Sequence, residues 1–308
     1  MERGKVVRLG TRGSALARRQ TELVRDALET AIPDVTFVTE VIETQGDRVQ
    51  DRPISQIGDK GAFVRALEAR LLDGTVDLAV HSLKDVPSDV SVPGLALGAY
   101  SAREDPRDVL ISASGAALAD LPTGATVGTG SPRRRAQLLA VRPDLVALDI
   151  RGNVDTRLRK LRAGMYDAII LAAAGLIRLC IEDQITQYLP LDSWLPDAGQ
   201  GIMAVQGRVG GEAMELVREI DCRDSRLAAE AERAVARALN ADCHSPIGAL
   251  ARIAEDRLTL DAVAARDDLH HLTGERGEGP ACDASAIGLE VGARLAASLG
   301  RIGGYTGP

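Results

Sequence analysis

The apolar run Val76-Asp77-Leu78-Ala79-Val80 carries no helical stripe. Bounded by Gly74 and Pro87, it predicts a buried parallel strand. Its carboxyl end carries His81, Ser82, Lys84 and Asp85. Open α/β sheets bind ligands outside those ends. A Lys-Asp pair there can meet an anionic ligand and also stabilise a cation. Taken alone, the stretch fits equally simple roles: a solvated Lys84, and an Asp85 that caps the next turn.

The flanking pattern builds a lobe around that strand. A strand at 6–9 leads through Gly10-Thr-Arg-Gly-Ser14 into a helix over 15–30. Leu16, Leu23, Ala27 and Leu28 are available for one apolar face, and Ser14 is a natural N-cap. Strand, glycine-rich turn and helix start form anion-binding geometry, because free backbone N–H groups point at the turn. Pro33 stops the helix, and 35–43 alternates as a second strand. Residues 45–60 are polar and contain Gly46, Pro53 and Gly58; they read as a surface loop or as a mobile lid. A helix over 61–72 turns Phe63, Leu67, Leu71 and Leu72 inward.

After a strand at 95–100 and a charged crossover at 101–106, the pattern recurs. A strand at 125–127 enters Gly128-Thr-Gly-Ser131, with Ser131 as N-cap and Pro132 at the first helical position. Arg133, Arg134 and Arg135 fill the first turn, where the helix dipole disfavours cations, so an anion is expected there; Arg135 also fits as a solvated side chain. A strand at 146–150 and a helix over 155–163 follow. Leu161-Arg-Ala-Gly164-Met-Tyr-Asp167-Ala-Ile-Ile170 then echoes Leu71-Leu-Asp-Gly74-Thr-Val-Asp77-Leu-Ala-Val80 position for position. This predicts an internal duplication, two similar α/β lobes facing a cleft, with 195–201 as the return crossover and 202–206 as a strand of the first lobe. The style changes near Asp224: an Ala-rich helix over 226–239, a tight loop around Cys243, a hairpin of 249–254 and 258–265, a third strand near 269–276 and a helix over 284–299. The expected domains are 1–101 with 200–221, 102–199, and a small α+β domain at 222–308.

Composition narrows the function. The chain has 308 residues, enough for two or three domains, with an ordinary hydrophobic share of 45%. Aromatics at 2% argue against a base-stacking surface, and a net charge of −7 argues against polyanion binding. Lysine occurs only at 5, 60, 84 and 160, so Lys60 and Lys84 stand out among arginines, although G+C-rich coding explains the bias as well. Cys180, Cys222, Cys243 and Cys282 form no Cys-x-x-Cys pair, and no histidine cluster completes a metal site; they read as reduced thiols of a cytoplasmic protein. No leading apolar segment or membrane-spanning run is expected.

Eight short motifs carry a resemblance: Leu9-Gly-Thr-Arg-Gly-Ser14, Gly58-Asp-Lys-Gly-Ala-Phe63, His81-Ser-Leu-Lys-Asp-Val-Pro87, Arg103-Glu-Asp-Pro-Arg-Asp108, Val127-Gly-Thr-Gly-Ser-Pro-Arg-Arg134, Arg151-Gly-Asn-Val154, Ala198-Gly-Gln-Gly201 and Cys243-His-Ser-Pro-Ile-Gly248. In this order they resemble the porphobilinogen deaminase (hydroxymethylbilane synthase) family over nearly the whole chain. The resemblance implies an α/β fold of two periplasmic-binding-protein-like lobes around a cleft, plus a small C-terminal α+β domain. It implies a dipyrromethane cofactor bound covalently to Cys243 by a thioether. Four molecules of porphobilinogen are then joined head to tail with loss of ammonia, and the linear tetrapyrrole is released by hydrolysis.

By the same resemblance, Asp85 is the catalytic carboxylate, assisted by Arg12 and Lys84. Lys84, Ser131, Arg133, Arg134 and Arg157 hold the cofactor. Arg12, Ser14, Lys60, Phe63, Arg151, Arg178 and Gln200 meet the substrate. The family further implies a monomer that needs neither nucleic acid nor membrane. Read from the residues, Cys243 follows a helix C-terminus whose dipole disfavours a thiolate, which suits a thiol alkylated once and retained. Two positions depart from the family pattern: Gln56 stands where many members have Lys, and Asn240-Ala-Asp242 replaces a Gly-Gly. A solute-binding protein would also fit two lobes and an arginine-lined cleft, but would leave Cys243 and the third domain unused. A nicotinamide oxidoreductase lacks its glycine fingerprint here.

Overall fold

The structure is a computed structural model and describes residues 5–42, 61–88, 92–240, 245–266, 269 and 271–301. Chain order begins with β1 (Lys5–Arg12), α1 (Ala15–Ala31), β2 (Val35–Ile42), α2 (Gly61–Leu72), β3 (Leu78–Ser82) and β4 (Leu95–Tyr100). It continues with β5 (Asp108–Ser112), β6 (Thr126–Gly128), α3 (Pro132–Val141), β7 (Val146–Leu148), α4 (Val154–Arg162), β8 (Ala168–Ala172), α5 (Ala173–Arg178) and β9 (Gln187–Tyr188). It closes with β10 (Met203–Arg208), α6 (Glu212–Leu216), α7 (Arg223–Ala238), β11 (Ile247–Ala254), β12 (Arg257–Ala265), β13 (Leu272–Pro280) and α8 (Ala284–Arg301). Two compact units result: Met1–Glu104 with Gly201–Arg226, and Asp105–Gln200 with Leu227–Pro308.

In the first unit the sheet order is β2-β1-β3-β10-β4. β1 runs parallel to β2 and β3, whereas β10 is antiparallel to both its neighbours. One core cluster gathers Val7, Leu9, Val24, Leu28, Phe37 and Val80. Behind the other face of the sheet, Leu67, Leu71 and Val76 pack with Ala79 and Leu95. Here the inward face of α2 differs from expectation. Val64, Leu67 and Leu71 are buried, but Leu72 is 52% exposed. Positions 64, 67, 68 and 71 share one helical stripe, and position 72 steps off it. Phe63 lies in α2, but its side chain is outside the described residues.

The second unit contains a sheet of order β7-β6-β8-β5-β9. β6 is parallel to β7 and β8, and β5 is antiparallel to β8 and β9. Strand for strand this is the arrangement of the first sheet. The echo seen in the sequence has a physical basis. Gly74 and Gly164 take positive φ values of 76° and 72°, which glycine adopts without steric cost. Three residues on, Asp77 N donates to Arg8 O at 2.9 Å while its carboxylate accepts Arg8 N at 2.9 Å. Asp167 treats Thr126 in the same way, at 3.0 and 2.7 Å. Each aspartate thus locks a pair of parallel neighbours, β1 to β3 in the first sheet and β6 to β8 in the second. β5 was not foreseen: it starts on a charged residue directly after a charged turn.

The C-terminal part of the second unit is the antiparallel sheet β11-β12-β13. Its core joins Val235 and Ala231 of α7 to Leu258 and Leu260 of β12 and to Val291 and Leu295 of α8. Glu232 is fully buried and accepts Gly199 N at 2.7 Å and Ala251 N at 2.8 Å. That carboxylate ties the return crossover to β11. No helix among the described residues is long and apolar enough to cross a membrane.

Candidate functional site

The first set of side chains stands at the carboxyl ends of β1 and β3, which pair Gly10 with Ala79. β1 runs two residues beyond that pair and ends in Arg12, which is half-buried. Ser14 caps α1, its hydroxyl accepting Ala17 N at 3.3 Å. After β3 the chain makes one tight helical turn, Leu83–Asp85. Leu83 is fully buried and donates its N–H to Ile202 O at 3.0 Å, which anchors the turn. Lys84 is then half-buried and Asp85 exposed. In the same sheet His81 and Gln206 belong to a buried polar chain that ends at Glu68 of α2. His81 Nε2 meets Gln206 Oε1 at 3.0 Å, and Gln206 Nε2 donates to Glu68 Oε1 at 3.1 Å. Because the carboxylate needs a donor, the Gln206 amide oxygen must face His81, so His81 carries its proton on Nε2. Burial pushes the His81 imidazole down to about 4; Gln206 and Asp85 oppose that shift and Arg12 adds to it.

The second set lies at the start of α3. Ser131 caps this helix, accepting Arg134 N at 3.4 Å. Arg133 and Arg134 are 2% and 6% exposed. The anion expected at this helix start is present inside the protein. Asp108, fully buried at the first position of β5, accepts Arg133 Nη1 and Arg134 Nη2, each at 2.7 Å. Trp194 Nε1 and Gln200 Nε2 also donate to it, each at 2.9 Å. Burial alone would raise this carboxyl; the two guanidiniums outweigh it and hold Asp108 well below the usual carboxylate range. Arg133 Nη1 also reaches Leu195 O at 2.7 Å, and Arg134 Nη1 reaches Ile170 O at 3.0 Å.

Nearby in the same unit, Asn153 caps α4 and Arg157 Nε donates to Gly152 O at 2.8 Å. Arg151 is half-buried, and Arg178, at the end of α5, is 8% exposed. Arg135 is exposed, as its solvated reading allowed.

Arg12, Ser14, Lys84 and Asp85 therefore belong to the first unit, and the α3 arginines with Ser131, Gln200, Arg151, Arg157 and Arg178 to the second. Cys243, Lys60, Gln56 and Asp242 lie outside the described residues. Sequence reasoning missed Asp108 and Trp194. The available signal was the aspartate that closes Arg103-Glu-Asp-Pro-Arg-Asp108, opposite three arginines that lacked an anion.

The donor set suits a polycarboxylate group. Two guanidiniums face one carboxylate, and among the described residues Nε of both Arg133 and Arg134 is buried without a partner, as is one Nη of Arg151. Such donors favour further carboxylates.

Comparison with known proteins identifies the family. Residues 7–215 match the family described as "Porphobilinogen deaminase, dipyromethane cofactor binding domain", and 226–297 match "Porphobilinogen deaminase, C-terminal domain". A porphobilinogen deaminase of Roseiflexus castenholzii is 48% identical over 288 residues, 93% of this chain and 94% of that protein. Its namesake in Desulforudis audaxviator is 46% identical over 93% of each chain. Among solved structures, the methionine-binding protein MetQ overlaps 70% of this chain and 88% of its own at 10% identity, with a TM-score of 0.42, too distant to argue from.

Proposed function

This chain belongs to the porphobilinogen deaminase family, and on that premise we propose that it is a hydroxymethylbilane synthase of tetrapyrrole synthesis. It is a transferase that joins four porphobilinogen molecules head to tail, loses one ammonia per addition and releases the linear product by hydrolysis. The observation that carries the reading is the end-to-end match: both family domains in order, and 48% identity over 93% of the chain. The same reading makes it a cytoplasmic monomer.

Cys243 would hold the dipyrromethane, which would supply a tethered pyrrole for chain growth. Ser131, Arg133, Arg134 and Arg157 would hold its acetate and propionate groups, together with Lys84. The buried arginine pair at the α3 start, with hydrogen-bonding capacity left on both guanidiniums, supports that assignment. Each hydrogen bond to a charged group contributes about 1.5–3 kcal/mol net, so several retain a polyanion through repeated turnover. Arg12, Ser14, Arg151, Arg178 and Gln200 orient the incoming porphobilinogen, with Lys60 and Phe63.

Asp85 is exposed at a strand tip, where its carboxylate can attract the cation left when porphobilinogen loses ammonia. At a separation of about 4 Å and an effective dielectric near 20, that attraction is roughly 4 kcal/mol. Realised mainly in the transition state, it is worth about three powers of ten in rate. When protonated, the same carboxyl can give its proton to the leaving amine, and the resulting carboxylate can take one back from the pyrrole carbon that forms the new bond.

Intact-mass measurement of purified protein tests the reading. The expected result is a two-pyrrole adduct that Cys243→Ser abolishes, with Asp85→Asn folded and loaded but about a thousandfold slower. Unmodified protein that is nevertheless active would overturn it.

A further inference from the structure

The functional reading gives the α3 arginines to the bound oligopyrrole and leaves Asp108 without a part. Yet four side-chain donors converge on this fully buried carboxylate. Arg133 and Arg134 each spend one further contact on a backbone carbonyl, Leu195 O and Ile170 O. Both guanidiniums are therefore fixed before any ligand arrives. Among the described residues their Nε atoms are buried without a hydrogen-bond partner, and besides Asp108 only the longer-range charge of Asp197 acts on Arg133.

The duplication supplies an internal control. β3 sets Ser82 opposite Met203, and β8 sets Ala172 opposite Asp108. Since Leu78 and Ala168 hold equivalent places against β1 and β6, Met203 is the first-lobe counterpart of Asp108. With the capping serines Ser14 and Ser131 aligned, Leu16 and Ala17 are the counterparts of Arg133 and Arg134. The first lobe thus builds the same sheet and helix start with apolar residues at all three positions. The fold itself does not call for the charged cluster, and buried ion clusters seldom add net stability over well-packed apolar groups. What distinguishes the second lobe is the arginine pair it has to hold.

We propose that Asp108 is a positioning residue: from inside the second lobe it fixes Arg133 and Arg134 so that their remaining edges meet the oligopyrrole carboxylates, and Trp194 reports that arrangement. The proposal rests on the functional reading above. Its physical gain is preorganisation, since two long side chains need not be ordered at each binding event.

Two variants test it, Asp108→Asn and Asp108→Glu, each purified as the folded monomer peak. The fraction carrying the two-pyrrole adduct is read by intact mass, and the KM for porphobilinogen is measured on the loaded fraction. Emission of Trp194, the chain's single tryptophan, reports the cluster. Asp108→Glu keeps the charge but moves the carboxylate by one methylene, so it decides the matter if Asp108→Asn does not fold. The expected result is a cooperative melt, an altered Trp194 emission and, for each folded variant, adduct loading lower by about tenfold, the loss of one charge-assisted contact. Because Gln200, which the functional reading gives to the substrate, also donates to Asp108, KM should rise as well while kcat of loaded molecules changes little. Folded variants with wild-type loading overturn the proposal alone, whatever their KM. Wild-type protein without any adduct overturns the functional reading, and the proposal with it.

Discussion

The neutral, buried His81 makes a quantitative demand on stability. Its imidazole is held at about 4 in the folded chain, against 6.5 as the ordinary value, mainly by burial. Between those values the unfolded chain binds the extra proton, so stability falls as the pH is lowered. The loss is negligible at pH 7, reaches about 2 kcal/mol at pH 5 and levels off near 3 kcal/mol below pH 4. His81→Gln removes the titration while an amide N–H can still meet Gln206. The depressed carboxylates Asp77 and Asp108 contribute stability that is lost only at lower pH, through and below the usual carboxylate range. Urea unfolding of both proteins at pH 7 and pH 5 should be followed by far-ultraviolet circular dichroism, because the single tryptophan belongs to the other unit. Wild type should lose about 2 kcal/mol more than His81→Gln between the two pH values. Equal losses, within about 0.5 kcal/mol, would refute the argument that His81 is neutral because it is buried.

Three further substitutions have defined outcomes. Ser131→Ala removes the cap of α3 and should lower stability by about 1 kcal/mol, seen as a shifted denaturation midpoint. Gly288→Ala drives a methyl into the Ala231 carbonyl, where α8 lies close on α7, and should cost about 2 kcal/mol or more in thermal unfolding. Glu232→Gln weakens the acceptor shared by Gly199 and Ala251; the expected loss is about 1–3 kcal/mol by urea unfolding, and an unchanged midpoint would count against the tie.

The duplication was legible because glycine with positive φ and a strand-locking aspartate recur at matching places, and both are local demands on the chain. Strand ends were less legible. Hydrophobic pattern reports burial, so Val76 looked like part of β3; it is fully buried, but it packs with α2 ahead of the ladder, which begins at Leu78. At the site, cations placed against the α3 dipole correctly called for an anion. Its identity as Asp108 was hidden, because Asp108 and Arg133 are separated by 25 positions and meet only when β5 and α3 assemble. The exposed Asp85 and half-buried Lys84 follow from one anchored turn, which the short apolar run before it cannot specify.

The place of β10 in the first sheet has a consequence for synthesis. It lies between β3 and β4, so that sheet cannot close until residues 203–208 have left the ribosome. The second lobe draws its five strands from one continuous stretch, 108–188. Domains fold as units while the chain emerges, and distant pairings wait for their partners. The later-encoded lobe is therefore complete first, while the earlier one, with the turn that bears Asp85, waits with a gap in its sheet for a strand encoded about a hundred residues downstream.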